Sequence, residues 1–190
     1  MEIKYLGAFG LTLKGKKEAV VIDPEEKFDL KKFGGRLLIF SKENNNAVAR
    51  RDDQVVIVGP GEYEVGGVEV VGINSGSQST VYICVVDGVS VCNLGQLSEP
   101  LSDKKIERIE NIDVLVVPLT GGVIEAKTVM NLAKKSGANY LIPVAYTPEE
   151  LKKFLDGVDR EDLSPVDNLK INRDELPEGI EVVLLKEGNS

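Results

Sequence analysis

Residues 37–49 read LLIFSKENNNAVA, and their reading decides the rest of the chain. Leu37 to Phe40 is an apolar run of strand length, and a second run follows at Val55 to Val58. A polar loop leaving the end of a strand is a common place for an active site. This loop offers Lys42, Glu43, Asn44, Asn45 and Asn46, which are neutral amides and charges without an imidazole.

Outward from that loop, the first half reads as short strands separated by glycine-rich turns. They are expected at Ile3–Leu6, Leu11–Leu13, Ala19–Ile22, Tyr63–Val65, Val68–Ile73, Thr80–Val86 and Val89–Leu94. Lys14-Gly15-Lys16, Gly66-Gly67 and Asp87-Gly88 supply turns. A two-residue turn at Asp87-Gly88 sets Ile83 opposite Cys92 and Cys84 opposite Val91. The two cysteines of the chain then point to opposite faces, which argues against a disulfide.

The second half changes period. A helix is expected from Ser102 to about Ile109, and DVLVVPL reads as a strand buried on both faces. Glu125 to Lys135 carries Val129, Leu132 and Ala133 at helical spacing, with Gly137 just past its end. NYLIPV gives another buried strand. Thr147-Pro148-Glu149-Glu150 is a capping box with proline at the first helical position. Two short strands close the chain. Hairpins followed by strand–helix units point to one α/β domain over residues 1–190, with two or four layers.

Composition narrows the function. Hydrophobic residues make up 42% and charged residues 28% of 190, a globular balance. Acids outnumber bases by 31 to 23, and the net charge of −8 argues against nucleic acid or anionic lipid as partner. No apolar run is long enough for a membrane span. The opening MEIKYLGAFG lacks the pattern of a secretion signal, so a cytoplasmic chain is expected. The chain has no histidine. That excludes Ser-His-Asp and Cys-His machinery and removes the usual catalytic zinc ligand.

Several segments in order resemble the metallo-β-lactamase superfamily, in particular its small lactonase-like branch of Zn-dependent hydrolases. The family's Leu-Gly-His opening is matched by Leu6-Gly7-Ala8, and its Ile-Asp-Pro by Ile22-Asp23-Pro24. Gly59 to Glu64 reproduces the family's Gly-Pro-Gly-Glu-Tyr-Glu. Its Thr-His-x-His-x-Asp-His falls on Ser41 to Ala47, its His-Leu-Gly-Asp-Leu on Asn93 to Leu97, and its Ile-Pro-x-His-Tyr on Ile142 to Tyr146. The resemblance implies a four-layered αββα sandwich. It places metal ligands at Lys42, Asn44, Asn46, Ala47, Asn93, Gln96 and Ala145, with Ala8 replacing a further histidine. None of these is a histidine, aspartate, glutamate or cysteine, so no metal, cofactor or catalytic residue is expected.

The resemblance then implies a pseudoenzyme. The cleft residues Lys42, Glu43, Asn44, Asn46, Asn93, Gln96 and Tyr146 would bind a small ligand, an anion being the natural guest of Lys42. A homo-oligomer or an active paralogue is the alternative partner. The competing reading is a hydrolase of ester, lactone or phosphodiester bonds working through an atypical or metal-independent site. Its metal-free candidates are Lys42 with Glu43 as base and acid, Glu62 with Glu64, and Ser41 beside Lys42; Glu43, Asp52 and Asp53 are a separate candidate for a weakly held cation. Solvated charges and loop hydrogen bonds are the preferred explanation of each of these.

Overall fold

The computed structural model describes residues 1–42, 50–76, 78–160 and 163–188. Among them the strands run, in chain order, β1 (Glu2–Gly7), β2 (Gly10–Lys14), β3 (Ala19–Ile22), β4 (Leu37–Phe40), β5 (Val55–Val58), β6 (Gly61–Val65), β7 (Val68–Gly76), β8 (Ser79–Val86), β9 (Val89–Asn93), β10 (Val114–Pro118), β11 (Tyr140–Val144), β12 (Leu169–Lys170) and β13 (Glu181–Val182). The helices are α1 (Asp103–Ile106), α2 (Ala126–Ser136) and α3 (Pro148–Gly157).

The strands form two mixed sheets. The first has the order β12-β1-β2-β3-β4-β5 and the second β13-β11-β10-β9-β8-β7-β6. Pairing is antiparallel where hairpins connect neighbours, as in β1–β2–β3 and β6 to β9. It is parallel where the chain returns by a longer connection, as in β3–β4–β5 and β9–β10–β11.

Strand periodicity explains the layers. Leu37 and Ile39 of β4 point into the core between the sheets, with Val114 and Val116 of β10 in the same core. The intervening Leu38 and Phe40 point outward, as do Leu115 and Val117. Both strands are therefore buried on two faces and need an unbroken apolar sequence. Burying one such side chain contributes about 1.5–3 kcal/mol. Cys84 lies in the inner core and Cys92 in the outer one, and both are free.

Helices cover the second sheet: Val129, Leu132 and Ala133 of α2 and Phe154 of α3 pack on Leu115, Val117 and Leu141. Over the first sheet the cover is a chain of turns between Pro24 and Gly35. There Leu30 packs on Val21, Leu38 and Phe40, with the Phe28 and Phe33 rings 5.8 Å apart beside it. The layering agrees with the αββα sandwich that the resemblance implies, with irregular chain in one outer layer.

Local signals set the helix ends. Thr147 accepts from the Glu150 amide at 3.2 Å, and the Glu150 carboxylate accepts from the Thr147 amide at 2.8 Å. Gly137 closes α2 in the left-handed region at φ 82. The helix expected from Ser102 to Ile109 is shorter: a single turn forms at Asp103–Ile106, and Ser102 makes no side-chain cap. The chain must straighten soon afterwards, because the Ile112 amide bonds Ser136 O and the Asp113 amide bonds Ser90 O.

Candidate functional site

The parallel strands β3 and β4 end side by side, and Asp23 and Ser41, just past their ends, meet at one point. Asp23 leaves β3 in the left-handed region (φ 44) and is 7% exposed. Its amide bonds Ile39 O at 2.9 Å, which fixes it against β4. The Asp23 carboxylate accepts from the Ser41 amide at Oδ1 (2.7 Å) and from the Ser41 hydroxyl at Oδ2 (2.5 Å). The Gln96 side chain donates to it as well, and Lys42 lies close enough to favour its charge. Burial still outweighs these aids and pushes the Asp23 carboxyl up to about 6.

Ser41 is the hub. Its Oγ accepts from the Gln96 amide at 3.1 Å while donating to Asp23. Its carbonyl takes the Thr80 amide at 2.8 Å, and Lys42 pairs with Ser79 as an isolated bridge. The end of the first sheet is thus stitched to β8 and to the loop after β9. Gly95 permits the approach: a Cβ there would sit 2.5 Å from Ser41 Cβ, and its φ is +64.

A second junction lies at Tyr5. Its hydroxyl donates to Ala8 O at 3.0 Å and accepts from the Ala145 amide at 3.3 Å. Ala8 (φ 45) and Ala145 (φ 49) both hold left-handed backbone, which alanine adopts at a cost and which histidine, asparagine and aspartate tolerate better. Burial raises the Tyr5 phenol, opposed by the Ala145 bond.

The structure brings Lys42 and Gln96 together at Asp23. Asn93 ends β9 nearby at 1% exposure; its Oδ1 accepts from the Gly95 amide at 3.3 Å and its Nδ2 has no partner among the described residues. Tyr146 packs against the core under the helices, where burial raises its phenol, and that phenol lies close enough to Tyr5 to act on it. Glu43, Asn44, Asn46 and Ala47 lie outside the described residues. Glu62 and Glu64 are exposed on β6, the last strand of its sheet. Asp53 is held by Arg51 at 2.9 Å, which keeps its carboxyl below the usual range. Sequence reasoning read Asp23 as scaffold and Ser41 as a candidate nucleophile beside Lys42, and missed the Asp23–Ser41 pair as the centre. The available signal was an aspartate directly after the apolar run Val20–Val21–Ile22.

The sequence model of the family described as the beta-lactamase superfamily domain matches residues 2–145. The chain belongs to the β-lactamase superfamily. Among solved structures, it resembles a candidate Zn-dependent hydrolase of the metallo-β-lactamase superfamily from Thermotoga maritima. Identity is 27% over 97% of this chain and 98% of that one, with a TM-score of 0.81. A candidate metal-dependent hydrolase from Parabacteroides distasonis shares the fold at 11% identity, covering 97% and 93%, with a TM-score of 0.66. A metallo hydrolase from Ignicoccus hospitalis shares it at 13%, covering 90% and 99%, with a TM-score of 0.63. No curated protein matches.

The superfamily's metal-binding motifs are degenerate in this member. Among the described residues no three His, Cys, Asp or Glu side chains gather where a cation could be held. Asp23 is the carboxylate at the centre, and its oxygens are committed to Ser41 and Gln96. Lys42 brings a positive charge, and Gln96 and Asn93 bring neutral amides. These side chains do not fit zinc.

Proposed function

We propose that this superfamily member is a non-catalytic, zinc-free protein whose cleft serves binding, of a small ligand or of a partner chain. The observation that carries the reading is the hydrogen-bonded set Asp23–Ser41–Gln96, which occupies the point where the sheet ends converge. The left-handed Ala8 and Ala145 agree with it, since a backbone suited to polar ligand residues persists under methyl groups. Lys42 is the cation that would meet a small anion, and an active relative or a second copy is the alternative partner. The place of action proposed is the cytoplasm. Among the described residues no helix is long and apolar enough to cross a membrane.

The second reading is a hydrolase of ester, lactone or phosphodiester bonds with an atypical or metal-independent site. It draws on the Thermotoga maritima protein, similar over nearly the whole of both chains. A hydrolysis screen with aryl esters, lactones and bis-aryl phosphodiesters separates the two. The binding reading expects no rate above buffer with or without added zinc or manganese. Turnover that falls in Lys42→Ala would replace it with the hydrolase.

A further inference from the structure

The two sheets end on β12 and β5 and on β13 and β6, and all of these outer strands but one are protected against further pairing. β12 and β13 are two residues long and carry Lys170 and Glu181. β6 presents the exposed Glu62 and Glu64. Short length and charge are common means of keeping a free edge from pairing with another chain. β5 is longer and has no charge: it is Val55-Val56-Ile57-Val58, and it ends the first sheet among the described residues. Val55 and Val58 are 40% and 41% exposed, so nothing covers these two aliphatic side chains of the edge.

The backbone of β5 fixes which groups are free. The Val55 amide donates to Arg36 O at 2.8 Å, in the parallel register that sets Val55 beside Leu37. Bonding alternates along a parallel strand. Val55 and Ile57 therefore bond to β4, and the N–H and C=O groups of Val56 and Val58 point away from it. These outward groups are symmetric about Ile57. An antiparallel copy of β5, on a two-fold axis at Ile57, sets Val56 of each copy opposite Val58 of the other. Every outward N–H and C=O on both copies then has a partner. Neighbouring registers do worse. An axis at Val58 sets Val56 against Pro60, which has no N–H. An axis at Val56 sets Val58 against Gln54, whose amide already bonds Arg51 O. In the favoured register Val56 and Val58 meet on the outer face, where Val56 already packs, and Val55 lies diagonal to Ile57 of the second copy.

We propose that β5 is a self-association edge: two copies of this chain pair antiparallel through Val56 and Val58, about a two-fold axis at Ile57, and join their first sheets into one. A second copy is the occupant because one patch supplies both sides of the ladder. The edge is distinct from the cleft, so the proposal goes beyond the proposed function and stands whether or not the cleft binds a ligand.

The test is sedimentation equilibrium of the intact protein over a concentration series, with amide hydrogen exchange followed by NMR. The expected species has twice the mass of the 20.6 kDa chain, and exchange at the Val56 and Val58 amides should slow as it forms. Val58→Lys places a charge on the free edge at an exposed position. Its melting temperature in dilute solution should match wild type, while its dimer dissociation constant rises at least about tenfold. Val58→Thr, β-branched and neutral, should keep the dimer. Three results overturn the proposal. They are a monomer up to about 1 mM protein, a dimer of equal affinity in Val58→Lys, or a dimer whose Val56 and Val58 amides exchange as fast as in the dilute chain. The exchange measurement needs wild type alone, so it decides the matter even where Val58→Lys does not fold.

Discussion

Unfolding wild type and Asp23→Asn in urea across a pH series isolates what the buried carboxylate does to stability. Asp23 rises from its ordinary 3.8 to about 6 because burial outweighs the Ser41 and Gln96 hydrogen bonds and the nearby Lys42 charge. A raised carboxyl favours the folded state while it is protonated. That contribution is complete below the unfolded value and is lost as pH climbs through the folded one. The shift of about two units corresponds to about 3 kcal/mol, lost between roughly pH 4 and pH 6. Asp29 and Asp53 are lowered by Lys32 and Arg51, and Glu150 by its backbone partners, so their contributions fade only toward more acid pH. Asp23→Asn keeps an oxygen for the Ser41 amide and cannot titrate. The variant should therefore lose the fall in stability over this window, gaining on wild type toward neutral pH. Parallel curves for the two proteins, within about 1 kcal/mol across the window, would refute the burial argument.

Three further substitutions or probes test the frame. Gly95→Ala forces a Cβ to 2.5 Å from Ser41 Cβ at φ +64 and should cost about 1–3 kcal/mol by urea denaturation. Ala8→Gly relieves left-handed backbone at an exposed position, and should leave stability unchanged or raise it by up to about 1 kcal/mol. Cys84 and Cys92 are fully buried, with the Cys84 thiol pushed up to about 12. Neither should react with a thiol reagent in the native state, and both should react on denaturation.

Much of the fold was legible because local chemistry and tertiary demand agree. The strands at Ala19–Ile22, Leu37–Phe40 and Val55–Val58 fall where the apolar runs lie, since short runs between turn residues leave little freedom. The Asp87-Gly88 turn fixed the Cys84–Val91 register, and Thr147 with Glu150 fixed the start of α3. The single-turn α1 was not legible, because its length is set by Ser90 and Ser136, which receive the chain from distant elements. The layer of turns over the first sheet was not legible either; Phe28, Leu30 and Phe33 follow no helical or strand period.

The site was read from motif positions alone. Lys42 and Gln96 were named by motif position, and the structure places both beside Asp23. Asp23 itself escaped notice because a motif aspartate beside a proline reads equally well as a turn residue. Tyr146 was named by its place in the Ile142–Tyr146 motif, and the structure packs it against the core under the helices.

The central claim is that this member of the superfamily cannot hold its relatives' metal. The direct measurement is elemental analysis by mass spectrometry of protein purified without chelator or metal-affinity tag, then dialysed against zinc and freed of excess. The account expects far less than one equivalent of any divalent transition metal per chain. One equivalent of zinc, with an anomalous diffraction peak near Asp23 and Asn93, would contradict it.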